Sequence, residues 1–277
     1  MAENFDIVFT DLDGTLLNSA KQVSRQTLDL FHALKARGVL RVIATGRSYF
    51  SLQKVLADDF PADYLIVSSG AGIVEMRTRQ LLFCRPFTNS DIQTISSRLM
   101  AQGLDFMVHG QVPENHHFVY HQSGNNNPDF QRRIEAYQDF CRPLRCNSEL
   151  PARSAQIIAI LPDDPSLFHR VAACFDQFQV IRATSPLDHC SIWLEIYPPG
   201  VSKGAAARWL CEYLDLSVDR TIGIGNDYND IDLLDFTRLS YVVANAPQEL
   251  LERYLLTPSN DEHGVYHALV GNAFTSG

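Results

Sequence analysis

The sequence predicts an α/β protein: a Rossmann-like parallel-sheet core into which a second, α+β domain is inserted. Three observations predict it. Short apolar runs alternate with helix-length segments at both ends of the chain. Each of those runs empties into a polar loop. The middle of the chain, from about residue 86 to 198, has a different and more broken rhythm. Buried strands alternating with helices are the pattern of a parallel sheet covered on both faces.

The elements follow in order. Residues 5–10 form a short apolar run, read as the first strand. Ser24 is placed to cap a helix whose apolar residues Leu28, Phe31 and Leu34 share one face, and Gly38 stops it. Residues 39–44 read as the second strand, with a helix from about Ser48, and residues 64–67 as the third strand, ending in Ser68-Ser69-Gly70. The alternation resumes near the other end. Ser202 starts a helix carrying Ala206, Trp209, Leu210 and Tyr213. Residues 221–224 are a strand, 230–234 start a helix, 241–243 are a strand, and 247–255 a further helix.

In the middle, helices are expected near 91–102, 129–140 and 165–178, and strands near 104–108, 117–121, 156–161, 180–183 and 191–197. Ser123-Gly124-Asn125-Asn126-Asn127-Pro128 reads as a surface turn. The expected division is therefore a core over residues 1–85 and 199–277, with an inserted domain over 86–198.

Composition excludes some functions. The chain has 277 residues, 45% hydrophobic and 20% charged, enough to bury a sizeable core. A net charge of −9 argues against sequence-independent nucleic-acid binding, which needs lysine and arginine to neutralise phosphates. No apolar run approaches the roughly 20 residues of a membrane helix. The opening Met1-Ala2-Glu3-Asn4 lacks the features of a signal peptide. The six cysteines form no Cys-x-x-Cys pair, so they read as buried free thiols in a reducing compartment, and the cytoplasm is the expected address. Oligomeric state is not legible.

Four segments carry chemistry. In Asp11-Leu12-Asp13-Gly14-Thr15-Leu16-Leu17, two carboxylates one residue apart follow a buried strand directly. Ligands of open parallel sheets bind at the carboxyl ends of strands. Two converging carboxylates repel unless a cation sits between them, and magnesium suits carboxylate, water and phosphate oxygens. In Val42-Ile43-Ala44-Thr45-Gly46-Arg47, a hydroxyl and a glycine N–H at a strand end suit a phosphate. Arg47 either reaches that phosphate or is exposed. In Pro199-Gly200-Val201-Ser202-Lys203-Gly204, a lysine opens a helix, where the dipole disfavours a cation, so a compensating anion is expected. The fourth segment, Gly223-Ile224-Gly225-Asn226-Asp227-Tyr228-Asn229-Asp230, again runs from an apolar strand into acidic residues. Asp232 and Asp235 beyond it read as exposed.

Together these segments resemble the motifs of the haloacid dehalogenase-like hydrolase superfamily, and most closely its Cof-like capped phosphatase subgroup. The resemblance covers roughly residues 5–72 and 194–269. It implies that Asp11 attacks phosphorus to give an aspartyl-phosphate, and that Asp13 protonates the leaving oxygen and then activates water. It implies that Thr45, Gly46, Lys203 and Asn229 bind the phosphoryl group. It implies Mg2+ held by Asp11, Asp13, Asn226 and Asp230. Asn226 stands where the family usually has aspartate, and whether Asn226 or Asp227 holds the metal stays open. Ser68-Ser69-Gly70-Ala71 stands where Asn-Gly-Ala is common. The tail residues Asn245-Ala246, Thr257-Pro258-Ser259-Asn260 and Asp261-Glu262-His263-Gly264-Val265 are expected to pack against the site. The implied partner is a small phosphorylated metabolite, a sugar phosphate foremost. The implied reaction is phosphomonoester hydrolysis. A phosphomutase or phosphotransferase with the same intermediate, or a non-catalytic, receiver-like phosphate binder, are the alternatives.

Overall fold

A computed structural model describes residues 5–273, with side chains to residue 270. The chain opens with β1 (Ile7–Thr10), α1 (Arg25–Ala36), β2 (Leu40–Ala44), α2 (Tyr49–Leu52), β3 (Tyr64–Val67), β4 (Gly72–Glu75) and β5 (Leu81–Cys84). It continues with α3 (Asn89–Ala101), β6 (Phe106–His109), β7 (Phe118–His121), α4 (Pro128–Ala136), β8 (Cys141–Pro143), β9 (Ile157–Leu161), α5 (Pro165–Ala172), β10 (Gln179–Thr184) and β11 (Ile192–Tyr197). It closes with α6 (Lys203–Tyr213), β12 (Thr221–Gly225), α7 (Ile231–Phe236), β13 (Leu239–Val243), α8 (Gln248–Leu251), β14 (Leu255–Thr257) and α9 (Gly264–Ala273). Two compact units result. One takes residues up to 47, 52–83 and 202 onward; the other takes 48–51 and 84–201.

The first unit is built on a sheet of order β14-β13-β12-β1-β2-β3-β4-β5. Pairing is parallel from β14 through to β3, and β4 runs antiparallel to β3. The central strands are apolar because both their faces are covered. Ile7, Phe9, Val42, Ala44 and Ile66 pack with Ala206, Leu210 and Leu233 from α6 and α7. Register is what positions the site. Thr10 stands level with Ile43 of β2 and Ile224 of β12, so Asp11, Thr45 and Asn226 leave one edge of the sheet side by side.

Helix α1 is capped by Ser24, which accepts from the Thr27 N–H, and Gly38 follows it with φ +77°. Its buried stripe is Thr27, Leu30, Phe31 and Leu34, so Leu30 takes the inward place expected for Leu28. Other expectations need correcting: the helices expected over 129–140 and 165–178 end at Ala136 and Ala172. The helix from Ser48 is a single turn. The helix expected over 247–255 stops after Leu251, and the chain adds β14 instead. Tyr241 of β13 pairs with Leu255, and the open edge of that strand outweighs the local helical pattern.

The second unit holds a sheet of order β10-β11-β9-β6-β7-β8. All its pairs are antiparallel except β7 with β8. Successive side chains face opposite sides, so each face has its own core. Phe106, Val108, Ile157, Ala159, Leu194 and Ile196 pack with Ile92, Ile95 and Leu99 of α3. Met107, Ile158, Ile160 and Trp193 pack with Phe130 of α4. Each such leucine or isoleucine contributes about 1.5–3 kcal/mol by leaving water. Thr88 and Asp91 close a capping box at the start of α3. Among the described residues all six cysteines are free and only Cys211 is buried, so the buried-thiol reading holds for one of them. No helix among the described residues is long and apolar enough to cross a membrane.

Candidate active site

Asp11 leaves β1 with its N–H donated to the Ile224 carbonyl of β12, at 2.8 Å. The residue is 5% exposed, and Lys203 Nζ donates to its Oδ1 at 2.7 Å. Lys203 opens α6 and is fully buried. Its two other protons go to Asp230 Oδ1 at 2.6 Å and Asn229 Oδ1 at 3.3 Å. The anion expected at this helix start is therefore a pair of carboxylates. The second oxygen of Asp230 accepts from the Asn226 and Asp227 N–H groups, at 2.9 and 3.1 Å. Both oxygens of Asp230 are thus engaged in fixing Lys203 and the loop after β12. Asp232, expected to be exposed, is half-buried instead, and its Oδ2 accepts from the Gly204 N–H at 2.9 Å. A carboxylate at the amino end of α6 matches the helix dipole. Asp235 is exposed and pairs with Arg253.

Asp13 is oriented differently from Asp11. Arg47 grips its carboxylate with Nε and with Nη2, the latter at 2.7 Å, and Lys21 Nζ lies 3.3 Å away. The residue whose role the sequence left open is therefore a bidentate clamp on Asp13. The Asp13 main-chain oxygen faces Asn226. Thr45 is buried, donates its N–H to the Ile66 carbonyl, and accepts from the Arg47 N–H at Oγ1. Gly46 lies close to Asn229: a Cβ there would stand 3.7 Å from Asn229 Nδ2. Ser68 and Ser69, at φ +50° and +51°, donate their N–H groups to the Arg47 and Thr45 carbonyls and hold the loop after β2 in place. The tail residues singled out in the sequence brace the Asp11 loop. Asn245 Nδ2 donates to the Gly14 carbonyl, Asn260 Nδ2 to the Leu17 carbonyl, and Ser19 to Asp261.

Charge is out of balance around Asp11. Burial pushes its carboxyl up to about 7, against the pull of Lys203, and Asp230 and Asp13 add to the rise. Burial works against the charge on Lys203 too, but Asp11 and Asp230 outweigh it, and the ammonium is held well above its usual range. Burial also opposes ionisation of Asp13, yet Arg47 and then Lys21 hold it below the usual carboxylate range. One lysine thus serves two buried carboxylates, Asp11 and Asp230.

Asn226 turns one amide atom into this corner. That atom lies 2.8 Å from Thr15 Oγ1, 3.1 Å from Asp11 Oδ2 and 3.0 Å from the Asp13 main-chain oxygen. As nitrogen it shares its two protons among the three. As oxygen it accepts from Thr15 and brings three oxygens together, an arrangement that needs a cation. Octahedral magnesium with bonds of about 2.1 Å spaces adjacent ligands about 3.0 Å apart. The spacing, beside two carboxylates that share one lysine, suits a divalent cation held by Asp11 Oδ2, the Asp13 carbonyl and Asn226 Oδ1.

Residues 8–269 match the haloacid dehalogenase-like hydrolase family. The YxeH protein of Bacillus subtilis (strain 168) is 27% identical over 278 residues, covering 96% of this chain and 97% of its own. The HMP-PP phosphatase of Cronobacter sakazakii is 26% identical over 247 residues, covering 87% and 85%. Among solved structures, the phosphatase BT1666 of Bacteroides thetaiotaomicron aligns with a TM-score of 0.81 at 18% identity, over 98% of this chain and 96% of that one. The subclass IIB sugar phosphatase BT4131 aligns at 0.75 and 16% identity, over 96% and 98%. At these identities the two structures bear on the fold.

Proposed function

Since this chain belongs to the haloacid dehalogenase-like hydrolase family, in its Cof-like capped subgroup, we propose that it is a magnesium-dependent phosphomonoester hydrolase acting on a small phosphorylated metabolite. Sugar phosphates are the foremost class. The inserted unit is read as the subgroup's cap domain. The observation that carries the reading is the buried carboxylate of Asp11, held by Lys203 at 2.7 Å and set beside the Asn226 amide and the Asp13 main-chain oxygen.

When bound, the metal supplies charge neutralisation for phosphate oxygens beside Asp11. Asp11 attacks phosphorus, the bond to the ester oxygen breaks, and that oxygen takes a proton from Asp13. The product alcohol leaves and an aspartyl-phosphate remains. Asp13, now a carboxylate, removes a proton from water as the water oxygen attacks phosphorus. The bond to Asp11 breaks, inorganic phosphate leaves, and Asp11 is restored. Lys203, Thr45 and the Gly46 N–H hold the transferring group, and Asn229 orients it. The Arg47 clamp favours the ionised, base form of Asp13. A phosphate dianion offers Arg47 another partner; with that clamp loosened, Asp13 takes a proton from solvent and passes it to the leaving oxygen. Positioning and charge carry the acceleration.

The test is a panel of phosphorylated metabolites and an aryl phosphate, assayed with and without Mg2+. Phosphate release is expected with Mg2+ only, falling by at least about 10³-fold in Asp11→Asn, which removes the nucleophile. Isomerised product without phosphate release identifies a mutase instead. A stable phospho-enzyme with no turnover identifies a receiver-like binder. Undiminished activity in Asp11→Asn overturns the reading.

A further inference from the structure

We propose that Glu114, His116 and His117 bind a zinc-class transition-metal dication in the connection between β6 and β7. One ligand atom from each of these residues lies within 4.8 Å of the others. His116 Nε2 stands 3.7 Å from Glu114 Oε2, and His117 Nε2 stands 3.8 Å from the same oxygen. Those distances are too long for direct hydrogen bonds, which run to about 3.2 Å. They are close to what a shared metal requires. Tetrahedral zinc with bonds of about 2.0–2.1 Å sets its ligands roughly 3.4 Å apart, a few tenths of an ångström inside the present spacing.

The two rings are held in place. His116 is buried, stacks on Phe50 with ring centroids 4.2 Å apart, and meets the edge of Phe140 at 5.1 Å. The His117 ring lies 4.2 Å from that of His116 and 5.3 Å from that of Phe140. The backbone beneath is fixed as well. The His117 N–H donates to the Glu114 carbonyl at 3.0 Å, closing a turn that brings the two side chains to one side. The Gly110 N–H donates to the His117 carbonyl at 2.8 Å, and the Gly110 carbonyl accepts from Ala155 of the strand approach to β9. A Cβ at Gly110 would stand 3.2 Å from the Glu114 carbonyl oxygen, so the turn packs directly onto this glycine. His109 Nδ1–H donates to the Asn115 carbonyl at 2.7 Å, tying down the residue between two of the ligands.

The donor set names the metal class. Two imidazoles and one carboxylate suit zinc, cobalt, nickel or copper, whereas magnesium prefers oxygen alone. The two imidazole nitrogens lie within 4.8 Å of each other, and Glu114 and His117, both exposed, close the remaining distance by rotating their side chains. Three protein ligands leave a fourth position for water or an external ligand. The site shares no residue with the Asp11 site.

The probe is Co2+, titrated into the full chain in excess Mg2+, which keeps the Asp11 site filled. A four-coordinate cobalt site gives an intense visible band. One equivalent is expected to produce that band, and Zn2+ to displace it. His117→Ala, at a half-exposed position, and Glu114→Gln are each expected to weaken binding at least tenfold with an unchanged circular dichroism spectrum, and Asp11→Asn to leave it intact. Absence of the band, its persistence in His117→Ala, or its loss in Asp11→Asn overturns the assignment.

Discussion

Lys203 shows how much one side chain carries here. It is fully buried and pairs with two carboxylates 192 and 27 residues away in sequence. Lys203→Met removes the cation and leaves both anions buried, which costs about 3–5 kcal/mol. Urea denaturation in EDTA measures it. The double variant Lys203→Met, Asp11→Asn is expected to recover at least about 1 kcal/mol relative to additivity, because one stranded charge is gone. Asn226 makes the opposite case. Its amide oxygen carries no charge, so Asn226→Asp restores an anion next to Asp11. The Mg2+ concentration for half-maximal activity is expected to fall about tenfold, since ligand charge raises cation affinity. In EDTA the same variant is expected to be less stable than the parent, because Asp11 gains a like-charged neighbour. The sequence marked Asn226 as a departure from the family pattern. It did not reveal that Asp13 offers its main-chain oxygen toward Asn226 while Arg47 takes the carboxylate, because nothing local fixes the direction of an aspartate side chain.

Elements set where those side chains arrive. Thr10, Ile43 and Ile224 stand level in the sheet, so three loops open at one edge. Helix α6 comes close to the turn after β3: a Cβ on Gly70 would stand 2.1 Å from the Ser202 carbonyl oxygen, and Gly70 sits at φ +102°. Gly70→Ala is therefore doubly unfavourable and pushes Ser202 and Lys203 away from Asp11. A loss of about 2–4 kcal/mol is expected, with kcat reduced more than KM changes, measured by thermal melting and steady-state kinetics. The strand-to-loop transitions were legible because an apolar run ending in Asp-x-Asp or Gly-x-Asn-Asp is a local pattern. Strands β4, β5, β8 and β14 were not. Their residues lack a strong period of their own and pair because a neighbouring strand offers its edge. The role of Asp232 was hidden for a related reason: an aspartate in the first turn of a helix looks solvated until another helix brings its amino end to it.

The whole molecule consists of two units with separate cores, and acid is expected to strike one of them. His109 in the second unit is pushed down to about 3, first by burial and then by the charge of Arg133, against a hydrogen bond to the Asn115 carbonyl. It stays neutral when folded, while in the unfolded chain it takes a proton near pH 6.5. The unfolded state binds more protons below that pH, so stability falls as pH drops from about 6.5 toward 3, by at most about 1.4 kcal/mol per pH unit. The chain's two tryptophans divide between the units, Trp193 in β11 and Trp209 in α6. In a Trp209→Phe background, Trp193 fluorescence reports the second unit. His109→Asn, which keeps a donor for Asn115, is expected to flatten the acid-side decline of its urea midpoint between pH 6.5 and 5. A slope equal to that of the parent counts against this account. The sequence by itself determined the fold class and the four strand-end segments, because strand, turn and helix signals act over a few residues. The tertiary structure alone decided which oxygens face a metal, that Arg47 clamps Asp13, and that one lysine serves two carboxylates. Those outcomes depend on charges brought together from distant parts of the chain, and only packing sets their distances.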